Sequence, residues 1–114
     1  DCQAISDTLG LVGDKWTVLV VSQLGAKTMR FNELRHSIGN ISQKMLTTTL
    51  RQLERDGFVT RTVFPTIPPR VDYALTDLGR DLLGPVHGLI QWAKDNRERM
   101  EQARERYKVR IAAE

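Results

Sequence analysis

The chain has little cysteine, few aromatic residues and no long apolar run. Cys2 is the only cysteine among 114 residues, and a single thiol cannot form an intrachain disulfide. No segment is apolar over the roughly 20 residues that a membrane-spanning helix needs, and no cleavable secretion signal is visible. These absences favour a reducing cytoplasm. The chain begins with Asp1 rather than Met, so we expect that a few residues precede it in the natural protein.

The sequence also lacks the patterns of enzyme and metal sites. His36 and His87 fall in different predicted helices, and neither has cysteine or acidic partners at the spacings of metal ligands. A glycine-rich phosphate loop and a nucleophile elbow are both missing. We therefore expect no catalysis, no metal and no cofactor.

Positive charge is present in modest excess and is concentrated in the middle of the chain. The length fits one domain, and the net charge is +3. Residues 28–76 hold seven bases against four acids, whereas residues 1–27 are acidic by one charge and residues 77–114 basic by one. This distribution supports nucleic-acid binding by the middle segment without establishing it.

The middle segment contains a strongly two-faced helix at residues 42–56. Ser42 is placed to cap its start, and Gly57 supplies the left-handed residue that ends it. Leu46, Leu50 and Leu53 form an apolar stripe, with Met45 and Thr49 at its edge. The opposite face is polar and basic, and it holds Gln43, Lys44, Thr47, Thr48, Arg51 and Arg55. Such a face suits phosphates and base edges, although an ordinary solvated face is the alternative.

Two β-branched and aromatic runs follow this helix and predict an antiparallel hairpin over residues 58–75. The turn carries Pro65, Pro68 and Pro69, which remove backbone donors and make a stiff projection. Arg70, at its base, is suited to a minor groove or a phosphate. The alternative is a plain hairpin whose prolines prevent edge-to-edge aggregation. A polar helix followed by such a ribbon is the DNA-reading half of a winged helix.

The preceding segments predict further helices and a short strand. Residues 2–11 form a helix with Ile5, Leu9 and Val12 on one side, and a turn at residues 13–14 follows. The apolar run from Trp16 to Leu24 marks a buried helix that ends at Gly25. Residues 29–31 fit a third strand, and residues 32–38 fit the first helix of a helix-turn-helix, on which Arg35 and His36 could touch a DNA backbone.

The last predicted helix begins after Thr76 and carries more apolar surface than one small core needs. Gly84-Pro85 should bend or split it. The surplus and a weak coiled-coil seam further along indicate a partner; the candidate interface residues are Leu89, Trp92, Ala93, Met100, Ala103 and Tyr107. The alternative is a single amphipathic helix that lies along its own domain.

Several motifs together resemble the HxlR-type winged helix-turn-helix transcriptional regulators, which are relatives of the MarR group. The motifs are Leu11-Val12-Gly13-Asp14-Lys15-Trp16-Thr17, Arg30-Phe31-Asn32-Glu33-Leu34-Arg35, Ile41-Ser42-Gln43-Lys44-Met45-Leu46 and the Pro-x-x-Pro-Pro-Arg-Val-Asp-Tyr-x-Leu-Thr-x-x-Gly run that starts at Pro65. Two departures, Asp14 in place of a glycine and Gly39-Asn40 in place of Pro-Gly, fall in turns. The resemblance covers most of residues 2–92 and excludes the charged tail from Lys94 onward.

The resemblance implies a bacterial, cytoplasmic regulator that binds a pseudo-palindromic site in double-stranded DNA as a homodimer. We expect one α+β, mainly helical domain over residues 1–114, with a DNA-reading core at 28–76 and flanking helices at 1–27 and 77–114 for the core and for dimerisation. The candidate DNA-binding residues are Arg35, Ser42, Gln43, Lys44, Thr47, Thr48, Arg51 and Arg70. A winged helix that contacts only other proteins is the alternative.

The resemblance also suggests effectors. Cys2 matches an N-terminal thiol that some members of the family use to sense oxidants or electrophiles, and the first helix would favour its thiolate. The alternative is a small apolar residue buried at the dimer interface. A small-molecule site between the dimerising helices, near His87 and Trp92, is also conceivable, although core packing for Trp92 and exposure for His87 are simpler roles.

Overall fold

The computed structural model describes residues 1–114 and contains six helices and one small sheet. The elements in chain order are α1 (Cys2–Val12), α2 (Lys15–Ala26), β1 (Met29–Arg30), α3 (Phe31–Ile38), α4 (Gln43–Arg55), β2 (Val59–Phe64), β3 (Arg70–Leu75), α5 (Asp77–Asp81) and α6 (Leu83–Ala113). The predicted fold class, a mainly helical winged helix-turn-helix, is confirmed.

Helix α2 begins at Lys15, one residue before the predicted start at Trp16. The carboxylate of Asp14 accepts hydrogen bonds from the amides of Trp16, at 2.9 Å, and Thr17, at 3.1 Å, which satisfies donors that a helix start leaves free. We expected the helix to end at Gly25, but it continues to Ala26. A Cβ on Gly25 would lie 2.6 Å from a methyl carbon of Leu83, so this glycine lets α6 approach closely.

The core lies between α2, α4 and the sheet. Its buried hydrophobic residues are Val20, Val21, Leu24, Met29, Leu34, Ile41, Leu46, Leu50, Leu53, Val59, Leu75 and Val86. The leucine stripe of α4 is buried as predicted, and Trp16 packs against the core while remaining partly exposed. Thr49, expected at the edge of the stripe, is buried, whereas Met45 is exposed. The buried face of α4 is thus rotated slightly from the prediction, and the outward face stays free.

The sheet has the order β1-β3-β2, and both pairings are antiparallel. Arg70 opposes Phe64 at the tip of the β2–β3 hairpin, and Leu75 opposes Val59 at its base. The third strand is confirmed but is shorter than expected, because Phe31 begins α3. The hairpin therefore projects as a wing anchored by β1.

The C-terminal part is split as the sequence predicts and then leaves the domain. Thr76 caps α5 by accepting a hydrogen bond from the Gly79 amide at 3.1 Å. The break falls at Leu82, three residues before Pro85, whose ring would clash with a carbonyl four residues earlier in a continuous helix. Helix α6 has 31 residues, of which only Val86 is buried, and every residue from Arg97 onward is exposed. The part of α6 from Arg97 onward therefore does not lie along its own domain, which was the alternative, whereas its start packs on the core.

The projecting helix gives the protomer an elongated shape. The extents along its principal axes are 64, 36 and 23 Å. At about 1.5 Å per residue, α6 alone is about 46 Å long. None of the helices combines the length and apolar character needed to cross a membrane.

Candidate nucleic-acid interface

The turn between α3 and α4 is held by side chains that the sequence predicts as DNA contacts. Gly39 and Asn40 have positive φ values of 71° and 50°, which reverse the chain. The Ser42 hydroxyl accepts a hydrogen bond from the Met45 amide at 3.0 Å, and the Arg35 Nε donates to the Ile41 carbonyl at 3.1 Å. Because of these hydrogen bonds, each side chain helps to fix the angle at which α4 is presented. Both side chains nevertheless remain exposed.

The outward face of α4 presents polar and basic groups to solvent. Gln43, Lys44, Thr48 and Arg51 are exposed, and Thr47 is half-buried. Neither Lys44 nor Arg51 takes part in an ion pair of the protomer. The structure thus brings five of the predicted residues together on one surface, with two uncompensated positive charges.

The positive charge at the end of α4 is compensated. Arg55 forms an ion pair with Asp56, with 3.0 Å between guanidinium nitrogen and carboxylate oxygen. The hydrogen bond that the Arg55 side chain donates lowers the pKa of Asp56, and the attraction between the charges acts in the same direction. Because Asp56 offsets Arg55, the free charge of α4 is carried by Lys44 and Arg51.

The wing is stiff at its tip, as predicted, but the tip is apolar. The side chain of Ile67 is fully exposed between the prolines, and the Thr66 hydroxyl donates a hydrogen bond to the Pro68 carbonyl at 2.8 Å. No charged side chain lies in residues 65–69. The wing tip is therefore shaped for insertion or contact rather than for holding phosphate.

Arg70 is less available than we expected. Its Nε lies 3.3 Å from the Oδ1 of Asp72, and its guanidinium lies 4.2 Å from the centre of the Phe64 ring. The Nε and Oδ1 atoms are shielded from water without hydrogen-bond geometry between them, and 37% of the Arg70 side chain is exposed. The sequence predicts a freely exposed arginine; the structure instead engages it in the wing, since its partners are the residues two positions on and directly across the hairpin.

Sequence reasoning missed a basic residue between the wing and α4. A groove of about 390 Å³ separates them, and its walls are formed by Thr47, Leu50, Arg51, Glu54, Arg61 and Tyr73. Arg61 is exposed, opposes Tyr73 in the hairpin and has no ion-pair partner. Strand alternation indicates only that such a residue is exposed, so no signal in the sequence could place it beside Arg51.

The predicted dimer residues are exposed in the protomer. Leu89, Trp92 and Tyr107 are each more than half exposed, and Met100 is 40% exposed; Ala93 and Ala103 are exposed as well. Helix α1 adds Ile5 and Leu9 and buries none of its residues. A shallow depression of about 490 Å³ on α6 includes Trp92 but not His87, so the two residues do not share a pocket within one protomer.

Cys2 is the first residue of α1, in agreement with the helix predicted over residues 2–11. Its thiol is free and exposed. The Asp1 carboxylate caps the helix by accepting hydrogen bonds from the amides of Gln3, at 2.6 Å, and Ala4, at 3.2 Å. A carboxylate, not the thiol, thus occupies the position where the helix amides act most strongly.

Helix α4 is capped, has a polar outward face and lies between the short helix α3 and the proline-tipped wing. This arrangement is that of a winged helix-turn-helix transcriptional regulator. The family model for the HxlR-like helix-turn-helix matches residues 11–101. The chain belongs to this family, and the resemblance drawn from its motifs is confirmed.

Similar proteins support this assignment and place the chain among non-enzymes. An HTH-type transcriptional regulator of Methanothermobacter thermautotrophicus is 42% identical over 83 residues, which are 73% of this chain and 63% of that protein. The HTH-type regulator YtfH of Escherichia coli is 41% identical over 90 residues, 79% of this chain and 71% of that protein. The chain thus spans less than two thirds of the length of the Methanothermobacter relative.

Solved structures agree with the fold. The transcriptional regulator YtfH from Salmonella typhimurium has a TM-score of 0.82 and 38% identity, covering 88% of this chain and 89% of that one. The reduced form of the redox regulator HypR has a TM-score of 0.80 and 38% identity, covering 87% and 98%. The sequence-based prediction of a transcriptional regulator is therefore confirmed at the level of the family.

Proposed function

We propose that this protein binds double-stranded DNA in a sequence-specific manner, with α4 in the major groove and the wing on the adjacent minor groove or backbone. The exposed, unpaired Lys44 and Arg51 on a helix whose other face is locked in the core carry this proposal. An α-helix fits the major groove, where its side chains reach base edges. Gln43, Thr47 and Thr48 are the candidate base readers, and Arg35, Ser42 and Arg70 support backbone contacts or the shape of the interface.

The DNA-binding unit is a homodimer in this proposal. Residues 28–76 form the reading core, and residues 1–27 and 77–114 supply core helices and the dimer contacts. Two-fold helix-turn-helix dimers place their recognition helices roughly 34 Å apart, in successive turns of the duplex. The expected target is therefore a pseudo-palindromic site.

The apolar stripe of α6 supports dimerisation. The stripe is formed by Leu89, Trp92, Met100 and Tyr107. These side chains, like Ile5 and Leu9 on α1, are exposed to solvent in the protomer. Arginines flank the stripe at positions seven apart on each side, Arg97 and Arg104 on one and Arg99 and Arg106 on the other. Of these four arginines only Arg97 pairs with an acid, Glu101 of its own helix. If two α6 helices packed along this seam, the arginines would therefore repel each other and added salt would tighten the dimer; weakening by salt would indicate a different partner surface.

The proposal is tested by measuring duplex DNA binding of Lys44→Ala and Arg51→Ala. Loss of a base contact costs about 1–3 kcal/mol and relaxes specificity at one position, whereas loss of a phosphate contact weakens all sequences alike and lowers the salt slope. An operator selected from random duplexes and a mixed-sequence duplex distinguish these outcomes. Unchanged affinity in both variants would exclude α4 as the reader, and a wild type without salt-dependent binding would favour the protein-adaptor alternative.

A response to oxidants is a second proposed property. Cys2 is exposed, and a structural neighbour that is 38% identical is a redox regulator. Oxidation of Cys2 would alter the environment of α1 and, through the dimer, the spacing of the two α4 helices. The Asp1 carboxylate caps the helix beside Cys2, and whether oxidation of Cys2 changes DNA binding has to be measured.

A further inference from the structure

The groove between α4 and the wing lies where a DNA strand would have to pass. In B-DNA the major and minor grooves are separated by one sugar-phosphate backbone. If α4 occupies the major groove and the wing reaches the neighbouring minor groove, the backbone between those grooves must run between the two elements. The groove of about 390 Å³ is the space that the protein leaves there.

The walls of this groove offer hydrogen-bond donors from both elements. Thr47 and Arg51 contribute from α4, and Arg61 and Tyr73 contribute from β2 and β3. Arg51 and Arg61 are exposed and take part in no ion pair, so neither charge is neutralised within the protomer. Arg70, the other arginine of the wing, is engaged with Asp72 and Phe64.

We infer that Arg61 is a phosphate-binding residue that, with Arg51, holds the DNA backbone between α4 and the wing. This inference rests on the proposed DNA binding. It assigns the contact between the wing and the DNA backbone to Arg61 rather than to Arg70. Two guanidinium groups on opposite walls suit a phosphate, since each can donate paired hydrogen bonds to its oxygens. A contact of this kind positions the protein without reading sequence.

Glu54 supplies an internal check, because it is the acidic residue of the groove. It is exposed and pairs with neither arginine. Its charge would repel a bound phosphate, so its removal should strengthen binding. If DNA does not enter the groove, the gain in affinity should be no larger than the general effect of removing one negative charge from the protein surface.

The experiment measures affinity for two unrelated mixed-sequence duplexes across a series of salt concentrations, by fluorescence anisotropy with the full chain. Arg61→Ala should weaken binding to both duplexes by roughly tenfold at low salt and reduce the slope of log affinity against log salt by about 0.9. Arg61→Lys should restore most of the slope, and Glu54→Gln should raise the affinity. The matched control is Arg80→Ala, because Arg80 is an exposed arginine on α5 outside the groove. This variant should keep the affinity and the salt slope of the wild type.

The outcomes separate this inference from the proposed function. If the wild type and Arg61→Ala bind with equal affinity and equal salt slope, the inference is overturned while DNA binding stands. A loss confined to one duplex would also overturn it, because a base contact would then be responsible. If the wild type shows no salt-dependent binding, the proposed function and the inference fail together. Circular dichroism and thermal unfolding of each variant verify that the exposed substitution leaves the fold intact.

Discussion

We define the winged core as α2 through β3. The winged core fully or partly buries most of its apolar side chains, whereas the terminal helices α1 and α6 expose most of theirs. Of the 12 residues in the buried hydrophobic cluster, only Val86 lies outside the winged core. Of the 12 large hydrophobic side chains that are exposed, eight belong to α1 and α6. The winged core, completed by Val86, Leu83 and Ile90 at the start of α6, therefore buries its apolar side chains and directs charge outward. The rest of the terminal helices exposes apolar surface that only another molecule can cover.

This difference fits the two tasks that we propose for the protein, DNA binding and dimerisation. A rigid core is needed where side chains must meet a DNA surface at fixed positions, and the buried leucines of α4 supply that rigidity. An exposed stripe is needed where two copies must find each other. The following predictions test whether the division holds.

The largest effect is expected from deleting residues 94–114. The deletion removes Met100 and Tyr107 from both protomers, and burying one Met side chain contributes about 1.5–3 kcal/mol. Because Met100 is 40% exposed in the protomer, its two copies would contribute about 1.2–2.4 kcal/mol, which corresponds to a dimer roughly ten- to fifty-fold weaker from Met100 alone. Sedimentation at micromolar concentration should show the loss of dimer, while circular dichroism should show an intact winged core.

A truncated protein that still dimerises as tightly as the full chain would place the interface on residues before Lys94. Unfolding of the truncated protein would contradict the division itself, because the core would then depend on the tail. Leu89→Ala in the full chain complements the deletion, since Leu89 is 56% exposed in the protomer and should matter only for assembly.

The next effect concerns two glycines, Gly79 of α5, which packs against the end of the winged core, and Gly88 of α6. A Cβ on Gly79 would collide with the carbonyl oxygen of Phe58, and the collision is with backbone, so Gly79→Ala should destabilise the protein by about 1–3 kcal/mol or more. A Cβ on Gly88 would have no atom within 4 Å, so Gly88→Ala should stabilise α6 by about 0.5–1 kcal/mol. Urea unfolding of both variants measures the contrast. A destabilising Gly88→Ala would show that a partner presses against that side of α6.

The elements that the sequence predicts well are those whose limits are encoded locally. Ser42 and Gly57 bound α4, and the proline turn separates two β-branched runs, so each could be read from a few neighbouring residues. The same is true of the split before Pro85. Motif resemblance extended these local signals to the whole winged fold.

Other features depend on residues that are distant in the chain. Gly25, predicted to end α2, lies inside the helix and packs against Leu83 of α6. Thr49, predicted at the edge of the leucine stripe, is buried. The sequence predicts Arg70 as an exposed wing arginine, but its environment is set by Phe64 across the hairpin. Arg61 became a candidate only when the fold placed it beside Arg51. Helix and strand patterns carry no information about these tertiary contacts.

A smaller effect is expected from Arg70→Ala. Removing the guanidinium leaves the shielded Oδ1 of Asp72 without its counter-charge, and such groups cost about 1–3 kcal/mol. The lower end applies, since more than a third of the Arg70 side chain is exposed and solvent screens the pair. Urea unfolding should show a loss of about 1 kcal/mol, and the double variant Arg70→Ala/Asp72→Ala should recover part of it.

DNA binding of Arg70→Ala then sharpens the comparison between the two wing arginines. If Arg70 acts by holding the wing, affinity should fall while the salt slope stays close to that of the wild type. A slope reduced by about 0.9 would instead indicate a direct phosphate contact. In that case Arg70 would have to leave Asp72 when DNA binds.

The smallest structural effect is expected from Cys2→Ser, because the thiol is exposed at the start of α1. Surface substitutions of this kind usually change stability by less than about 0.5 kcal/mol. The informative readout is DNA affinity before and after mild treatment with peroxide, diamide or a quinone. If Cys2 is a sensor, the wild type should respond and Cys2→Ser should not.

The product of that oxidation would locate Cys2 in the dimer. Two thiols of a dimer can lose two electrons and two protons to diamide and form an intersubunit disulfide only if their Cα atoms come within about 7 Å. A greater separation leaves sulfenic acid with peroxide, or a mixed disulfide when a small thiol is present. Non-reducing electrophoresis and mass spectrometry distinguish these products. An equal response of wild type and Cys2→Ser, or no response of the wild type, would mean that Cys2 has a packing role, and that α1 contributes to the regulator only through the apolar face formed by Ile5 and Leu9.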